Sequence, residues 1–269
     1  MIDKRTSLAE TISTIPDGAT VALGGNTLHR APGAAVHEIV RQGKRGLNLV
    51  KTAGAYDVDL LCAAGCAGAV SAGFVGYETP FGLAPAYRRA VETGAVEARE
   101  HVCASVIAGL RAAIQGVPFM PLAGMDGSDL PAARGFARVA DPYGGPSVVT
   151  IPAIVPDIAI LHVQQADPSG NARIDGTRFE DVLMAQAAKR VIVTAEETVD
   201  AVEPAAVAIP GFLVDAVVEV PGGARPCSCA GVYGYDAEWL SAWTTAARTP
   251  EGAAAFIEER VLAPVGVGA

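Results

Sequence analysis

Residues 15–32 read Ile15-Pro16-Asp17-Gly18-Ala19-Thr20-Val21-Ala22-Leu23-Gly24-Gly25-Asn26-Thr27-Leu28-His29-Arg30-Ala31-Pro32. Pro16-Asp17-Gly18 is a turn, residues 21–23 a short apolar strand, Gly24-Gly25 a bend, and Pro32 the opening of a helix. Adjacent glycines at a strand end let the backbone turn sharply with its amides exposed, because neither carries a Cβ. Pro32 suits a first helical position, where no amide is needed. Amides at such a bend form an electropositive nest for a phosphate, a carboxylate or a developing oxyanion. A plain strand-to-helix connection has the same pattern, so the rest of the chain must separate the two readings.

Outward from this stretch the same rhythm repeats. A short amphipathic helix precedes it over residues 4–14, and a helix after Pro32 buries Ala35, Val36, Ile39 and Val40 at i, i+3, i+4 spacing. Strands are expected at 47–50, 69–75 and 96–100, with helices at 57–64, 84–92 and 105–115. Residues 122–148, dense in Gly, Pro and Asp, read as a long loop of the kind that makes a lid or an interface arm. The second half continues with strands at 158–163, 190–195 and 214–220, a helix at 179–188 with Glu180 and Asp181 in its first turn, and helices at 237–247 and 252–261. Strand, glycine turn and helix in alternation give an α/β fold, an open and mostly parallel sheet flanked by helices. No fixed-period repeat or linker-like composition shift divides the chain, so residues 1–269 are read as a single domain.

Composition narrows the function. The 269 residues are 51% hydrophobic and only 6% aromatic, with 30 glycines. Twenty basic against 29 acidic side chains leave a net charge of -9, with no basic run to offset it, so a nucleic-acid partner is not expected. The polar start Met1-Ile2-Asp3-Lys4-Arg5 lacks the apolar core of a secretion signal, and no apolar run nears the ~20 residues of a membrane span. A cytoplasmic protein is the reading. Cys62, Cys66, Cys103, Cys227 and Cys229 lack disulfide or zinc-knuckle spacing and read as reduced, buried thiols, so no metal site is expected.

Several residues could carry chemistry. His29 and Arg30 lie where the bend meets the helix, and the guanidinium fork suits a carboxylate or phosphate, or else a surface salt bridge. His162 lies in an apolar strand, as a core histidine or a ligand. Glu196-Glu197 could supply a general base or nucleophile, or could cap a turn; Glu78 and Glu100, at other strand ends, carry the same two readings. No Gly-x-Ser-x-Gly elbow, no GxxxxGK[ST] loop and no third glycine of a dinucleotide fingerprint occur.

Residues 16–32 resemble the α-subunit signature of the family I coenzyme A transferases: Pro16-Asp17-Gly18, Val21-Ala22-Leu23, Gly24-Gly25 and Pro32 fall in register. Asn26 stands where Phe is usual and Arg30 where Gly is usual. Further matches are Gln164 to Asn171, Ala187 to Glu197, and Pro221-Gly222-Gly223-Ala224 with Pro226, similar to the glutaconate CoA-transferase branch. The resemblance implies a NagB/RpiA/CoA-transferase-like sheet, related to that of the sugar-phosphate isomerases. It also implies coenzyme A as co-substrate with no permanently bound cofactor. CoA would pass from an acyl-CoA to a carboxylic acid through a glutamyl-CoA thioester on a β subunit. Neither Ser-Glu-Asn-Gly nor Glu-x-Gly-x-x-Gly occurs here, since Glu92-Thr93-Gly94 continues as Ala95-Val96-Glu97. An α subunit without its own catalytic glutamate, acting in a hetero-oligomer, is therefore expected. Gly24, Gly25, Asn26, Thr27, Leu28, His29 and Arg30 become its CoA and substrate loop, with Arg30 expected on a second carboxylate of the substrate. Two alternatives stand beside this: a subunit of a ring-opening hydrolase of steroid-derived acyl-CoA, and a non-catalytic acyl-CoA-binding protein. The hydrolase would need an α-subunit glutamate soon after the strand at 96–100, and the segment after Glu100 (His101 to Ser105) has no acid.

Overall fold

A computed structural model describes residues 2–79 and 81–263. The chain runs α1 (Leu8–Ser13), β1 (Thr20–Leu23), α2 (Gly33–Arg41), β2 (Leu47–Gly54), α3 (Tyr56–Ala63), β3 (Ala67–Val75), α4 (Pro85–Glu92), β4 (Glu97–Glu100) and α5 (Cys103–Ile114). It continues with β5 (Phe119–Leu122), α6 (Leu130–Ala133), β6 (Arg138–Val139), β7 (Val148–Pro152), β8 (Ile158–Ala166), β9 (Ala172–Arg173) and α7 (Asp181–Ala187). It ends with β10 (Arg190–Thr198), β11 (Val207–Ile209), β12 (Ala216–Glu219), α8 (Ala237–Ala246) and α9 (Pro250–Ile257).

The main sheet is parallel in the order β12-β10-β8-β1-β2-β3-β4. β10 pairs with β8 from Arg190 opposite Ile158 through to Thr198 opposite Ala166. The short β1 reaches only from Val21 to Leu23 along the other edge of β8. Past its end, the antiparallel β9 and β11 take that edge of β8. Strands buried on both faces need apolar residues at successive positions. Val21 and Leu23 enter one core and Ala22 the other; Ile158 and Ile160 divide from Ala159, Leu161 and Val163 in the same way. The first core is covered by α1 to α4, α8 and α9, and the second by α5 and α7.

From β1 the chain winds outward to β2, β3 and β4 in one direction, and the strands on its other side are β8, β10 and β12. β1 and β8 therefore flank a topological switch point. In open α/β sheets the crevice outside the C-terminal ends of such strands is where ligands bind.

Three expectations change. The segment expected as a long loop at 122–148 is bounded and crossed by β5, β6 and β7, which form a separate antiparallel sheet in the order β5-β7-β6. Met125, Val149 and Ile151 pack it against Ala108 of α5. Its Gly, Pro and Asp density hid strands too short to show alternation. Pro32 is the N-cap of α2 rather than its first residue, and Glu180 precedes α7 instead of sitting in its first turn.

Asp59 of α3 shows what burial does to a charge here. It accepts from the Tyr87 amide (2.7 Å), Trp243 Nε1 (2.9 Å) and Tyr77 Oη (3.1 Å). Burial is the larger influence and pushes its carboxyl up to about 6, against those three donors. A carboxyl with a raised folded-state pKa binds its proton more tightly when folded. Its contribution is thus full below about pH 4 and lost as pH rises through about 6. The stability deficit of Asp59→Asn, measured in denaturant, is expected to be larger at pH 4 than at pH 7 by about 3 kcal/mol.

Candidate functional site

β1 ends at Leu23, and the bend follows because only glycine fits. A Cβ on Gly24 would lie 2.7 Å from Asp181 Oδ1 and 2.8 Å from Leu161. Gly25 has φ +70°, and a Cβ there would lie 2.3 Å from the His29 carbonyl oxygen. Two buried ion pairs clamp these glycines. Lys51, a lysine in an otherwise buried strand, donates to the Gly24 carbonyl (2.7 Å) and to Asp57 (2.5 Å), both side chains being fully buried. On the other side Asp181 accepts from the Gly25 amide at 3.2 Å and pairs with Arg30 at 3.0 Å.

The loop then makes a tight turn, with Asn26 and His29 exchanging amide bonds of 2.8 Å in both directions. Thr27 donates its amide to the Ala53 carbonyl (2.9 Å) and its hydroxyl to Glu78 (2.5 Å). Arg30 donates its amide to Ser228 O at 2.7 Å. Ala34, at the start of α2, donates to Gly223 O at 2.9 Å, so the Pro221-Gly222-Gly223 turn closes the helix end. Thr27, Arg30 and Phe179 take left-handed backbone conformations, with φ of 43°, 53° and 45°. Non-glycine residues hold such angles at a cost of about 1–3 kcal/mol each, and they gather at ligand sites.

All three border one cavity of about 400 Å³, lined by Asn26, His29, Arg30, Glu78, Asp175, Thr177, Phe179, Ser228 and Ala230. His29, exposed, places Nδ1 3.1 Å from Ser228 Oγ and Nε2 3.4 Å from Glu78 Oε1. Of the loop, Asn26 and His29 reach the cavity, while Gly24, Gly25, Thr27 and Leu28 are buried beneath it.

Two expectations about the loop are corrected here. The amides of the bend do not form an open nest: those of Gly24, Gly25, Asn26, Thr27, His29 and Arg30 all donate within the protein. Arg30 is not turned to a substrate carboxylate. Its side chain is 2% exposed, and its fork binds Asp181, the His162 carbonyl (2.8 Å) and the Thr177 carbonyl (2.9 Å). A carboxylate does sit on Arg30, and it belongs to the protein. Asp181 was legible only as a helix start, whereas Lys51 was a stronger signal, since a lysine within Leu-Val-Lys-Thr-Ala needs a buried partner.

His162 and Glu196 form a second buried network. His162 Nε2 lies 2.7 Å from Glu196 and its Nδ1 2.9 Å from Thr194 Oγ1. Glu196 also accepts from the Gly222 amide (2.6 Å) and from Tyr233 Oη. Burial pulls the His162 pKa down, against the attraction of Glu196. Burial would raise Glu196, but the bonds from His162, Tyr233 and Gly222 outweigh it and hold it low. The pair is therefore a neutral imidazole on a carboxylate, and Glu196 is locked in place. Cys229 brings Sγ into a group with His162 and Glu196 whose ligand atoms lie within 4.8 Å of one another. The histidine and carboxylate atoms of that group are already hydrogen-bonded inside the protein. Of the cysteines, Cys103 at the start of α5 is exposed, contrary to the expectation of burial. Among the described residues no helix is long and apolar enough to cross a membrane.

Comparison with known proteins places this geometry. The chain is 37% identical to the α (A) subunit of the 3-oxoadipate CoA-transferase of Pseudomonas knackmussii, over 92% of this chain and 89% of that one. It is 35% identical to the cholesterol ring-cleaving hydrolase IpdA subunit of Mycobacterium tuberculosis, over 96% and 92% of the two chains. The structure of glutaconate coenzyme A-transferase from Acidaminococcus fermentans superposes with a TM-score of 0.92 at 33% identity, covering 97% of this chain and 90% of that one. The chain spans 60% of the length of a 42%-identical relative from Archaeoglobus fulgidus. The coenzyme A transferase family model matches residues 5–220, from the segment before α1 to the end of β12, and the chain belongs to that family.

Proposed function

We propose that residues 1–269 act as one α-subunit domain of a heteromeric acyl-CoA:carboxylate CoA-transferase. Its β subunit supplies the glutamate on which the CoA thioester forms. CoA is a co-substrate, and the loop from Gly24 to Arg30 with the cavity above it forms this chain's side of the site. The reading is supported by relatives named as the corresponding subunits of CoA-transferases and by the placement of the loop at the switch point. The observation that carries the split site is the state of this chain's own carboxylates. Asp181 is tied to Arg30, Asp57 to Lys51, and Glu196 to His162, Tyr233 and Gly222, while Glu78 accepts from Thr27. A nucleophilic carboxylate must be free to attack, so it is expected from the partner.

The test is a CoA-exchange assay between an acyl-CoA and a panel of carboxylic acids. It uses this chain alone, its co-purified partner alone, and the two together. Transfer is expected only from the pair; transfer by this chain alone would overturn the reading.

One observation favours a second reading, a ring-cleaving or thioester hydrolase. Glu100 ends β4 and lines a cavity of about 390 Å³ with Phe74, Tyr87 and His101. Burial pulls His101 down to about 4, leaving a neutral imidazole beside that carboxylate. Consumption of acyl-CoA by the complex with water as the only acceptor would support the hydrolase. A strict requirement for a carboxylic acid would support the transferase.

A further inference from the structure

The loop that faces the cavity has already committed most of its donors. Its amides at Gly24, Gly25, Asn26, Thr27, His29 and Arg30 are bonded within the protein. Lys51 and Arg30 are bound to Asp57 and Asp181. His29 meets Ser228 through one ring nitrogen and Glu78 through the other, and the Ser228 hydroxyl donates to Leu28 O at 3.0 Å.

Asn26 differs from its neighbours. Its backbone is fixed by the reciprocal bonds with His29, its half-buried side chain lines the cavity, and the carboxamide has no hydrogen bond among the described residues. A carboxamide offers two N–H donors and one acceptor. Acceptors are plentiful around the cavity, where Glu78 and Asp175 both present carboxylates. What Asn26 adds is a preorganised N–H. Beside two carboxylates that donor suits a neutral carbonyl oxygen, since a ligand carboxylate would meet like charge.

We propose that Asn26 is the residue of this chain that donates a hydrogen bond to a carbonyl oxygen of the bound acyl-CoA. This rests on the reading of the chain as the α subunit of a transferase. An acyl-CoA carries carbonyls of two kinds, the thioester under attack and the amides of the pantetheine arm, and their contacts have different kinetic consequences. A donor that grips the thioester oxygen as it gains charge acts on kcat, whereas one that grips a pantetheine amide acts equally on ground and transition states and moves affinity alone.

The experiment uses the intact complex carrying Asn26→Leu, which keeps the size and removes the donor, and Asn26→Asp, which keeps the shape and removes it. Steady-state transfer gives kcat and KM, calorimetry gives the acyl-CoA Kd, and thermal melting confirms that the variants are folded. A fall in kcat of about 10²–10³-fold with an unchanged Kd assigns the thioester carbonyl. A Kd raised about tenfold, matching the ~1 kcal/mol of one neutral hydrogen bond, with an unchanged kcat assigns the pantetheine. Values of kcat and Kd within about threefold of wild type in both variants, less than one such bond confers, would overturn the proposal. If the wild-type complex transfers no CoA, the functional reading fails on its own. The calorimetric arm still decides Asn26, by weakened or unchanged binding of acyl-CoA.

Discussion

Asp181→Ala is expected to destabilise the protein by about 3–5 kcal/mol, because it leaves the Arg30 guanidinium buried without its partner. Arg30 and Asp181 are 2% and 0% exposed, and their 3.0 Å contact lies in surroundings where a lone charge has little water to solvate it. The same substitution removes the acceptor of the Gly25 amide, so the bend loosens with the ion pair. Arg30→Met combined with Asp181→Leu is expected to recover part of the loss. That pair leaves no uncompensated charge, although the carbonyls of His162 and Thr177 lose a donor. Denaturant unfolding of the three proteins measures this. A loss below about 1 kcal/mol for Asp181→Ala would show that Arg30 finds another partner or water.

Gly25→Ala carries the second large effect, and it falls on activity. An L-residue at φ +70° is strained by about 1–2 kcal/mol, and the added Cβ would sit 2.3 Å from the His29 carbonyl and 2.5 Å from the Arg30 backbone. Backbone cannot rotate away as a side-chain tip can. The turn that presents Asn26 and His29 must shift, and a displacement of about 1 Å at a site costs on the order of 10²-fold in rate. Gly18→Ala is the control. Gly18 has φ +76°, with nothing within 4 Å of where its methyl would stand, so it should show the conformational strain with transfer activity retained. Equal losses of activity in the two variants would mean that the bend's clearance has no bearing on the site.

The parallel architecture was legible because its strands are buried on both faces, which leaves runs such as Val21-Ala22-Leu23 and Val191-Ile192-Val193 between glycine turns. The ends of the strands were less so. β2 runs on through Lys51, Thr52 and Ala53 to Gly54, past the residue 50 at which sequence pattern stops it, because Lys51 hides a buried ion pair behind a polar residue type. In the site, the location of the loop was readable and its wiring was not. Arg30 and Asp181 are 151 residues apart, and only the folded sheet brings α7 to the bend. Nothing local in Phe179-Glu180-Asp181 tells a capping acid from one that fills an amide nest. The residues that face the cavity from afar, Glu78, Asp175 and Phe179, lie in connections that only the sheet order brings together with the loop.

The split of the site between two chains is tested most directly by mass. The tagged chain is purified from its own host, acyl-CoA is added, and the intact mass of every chain recovered is recorded. The expected result is a co-purifying partner that gains a CoA-sized adduct while this chain keeps its mass. An adduct on this chain would contradict the account, and so would a complex that consumes the thioester with no adduct on either chain.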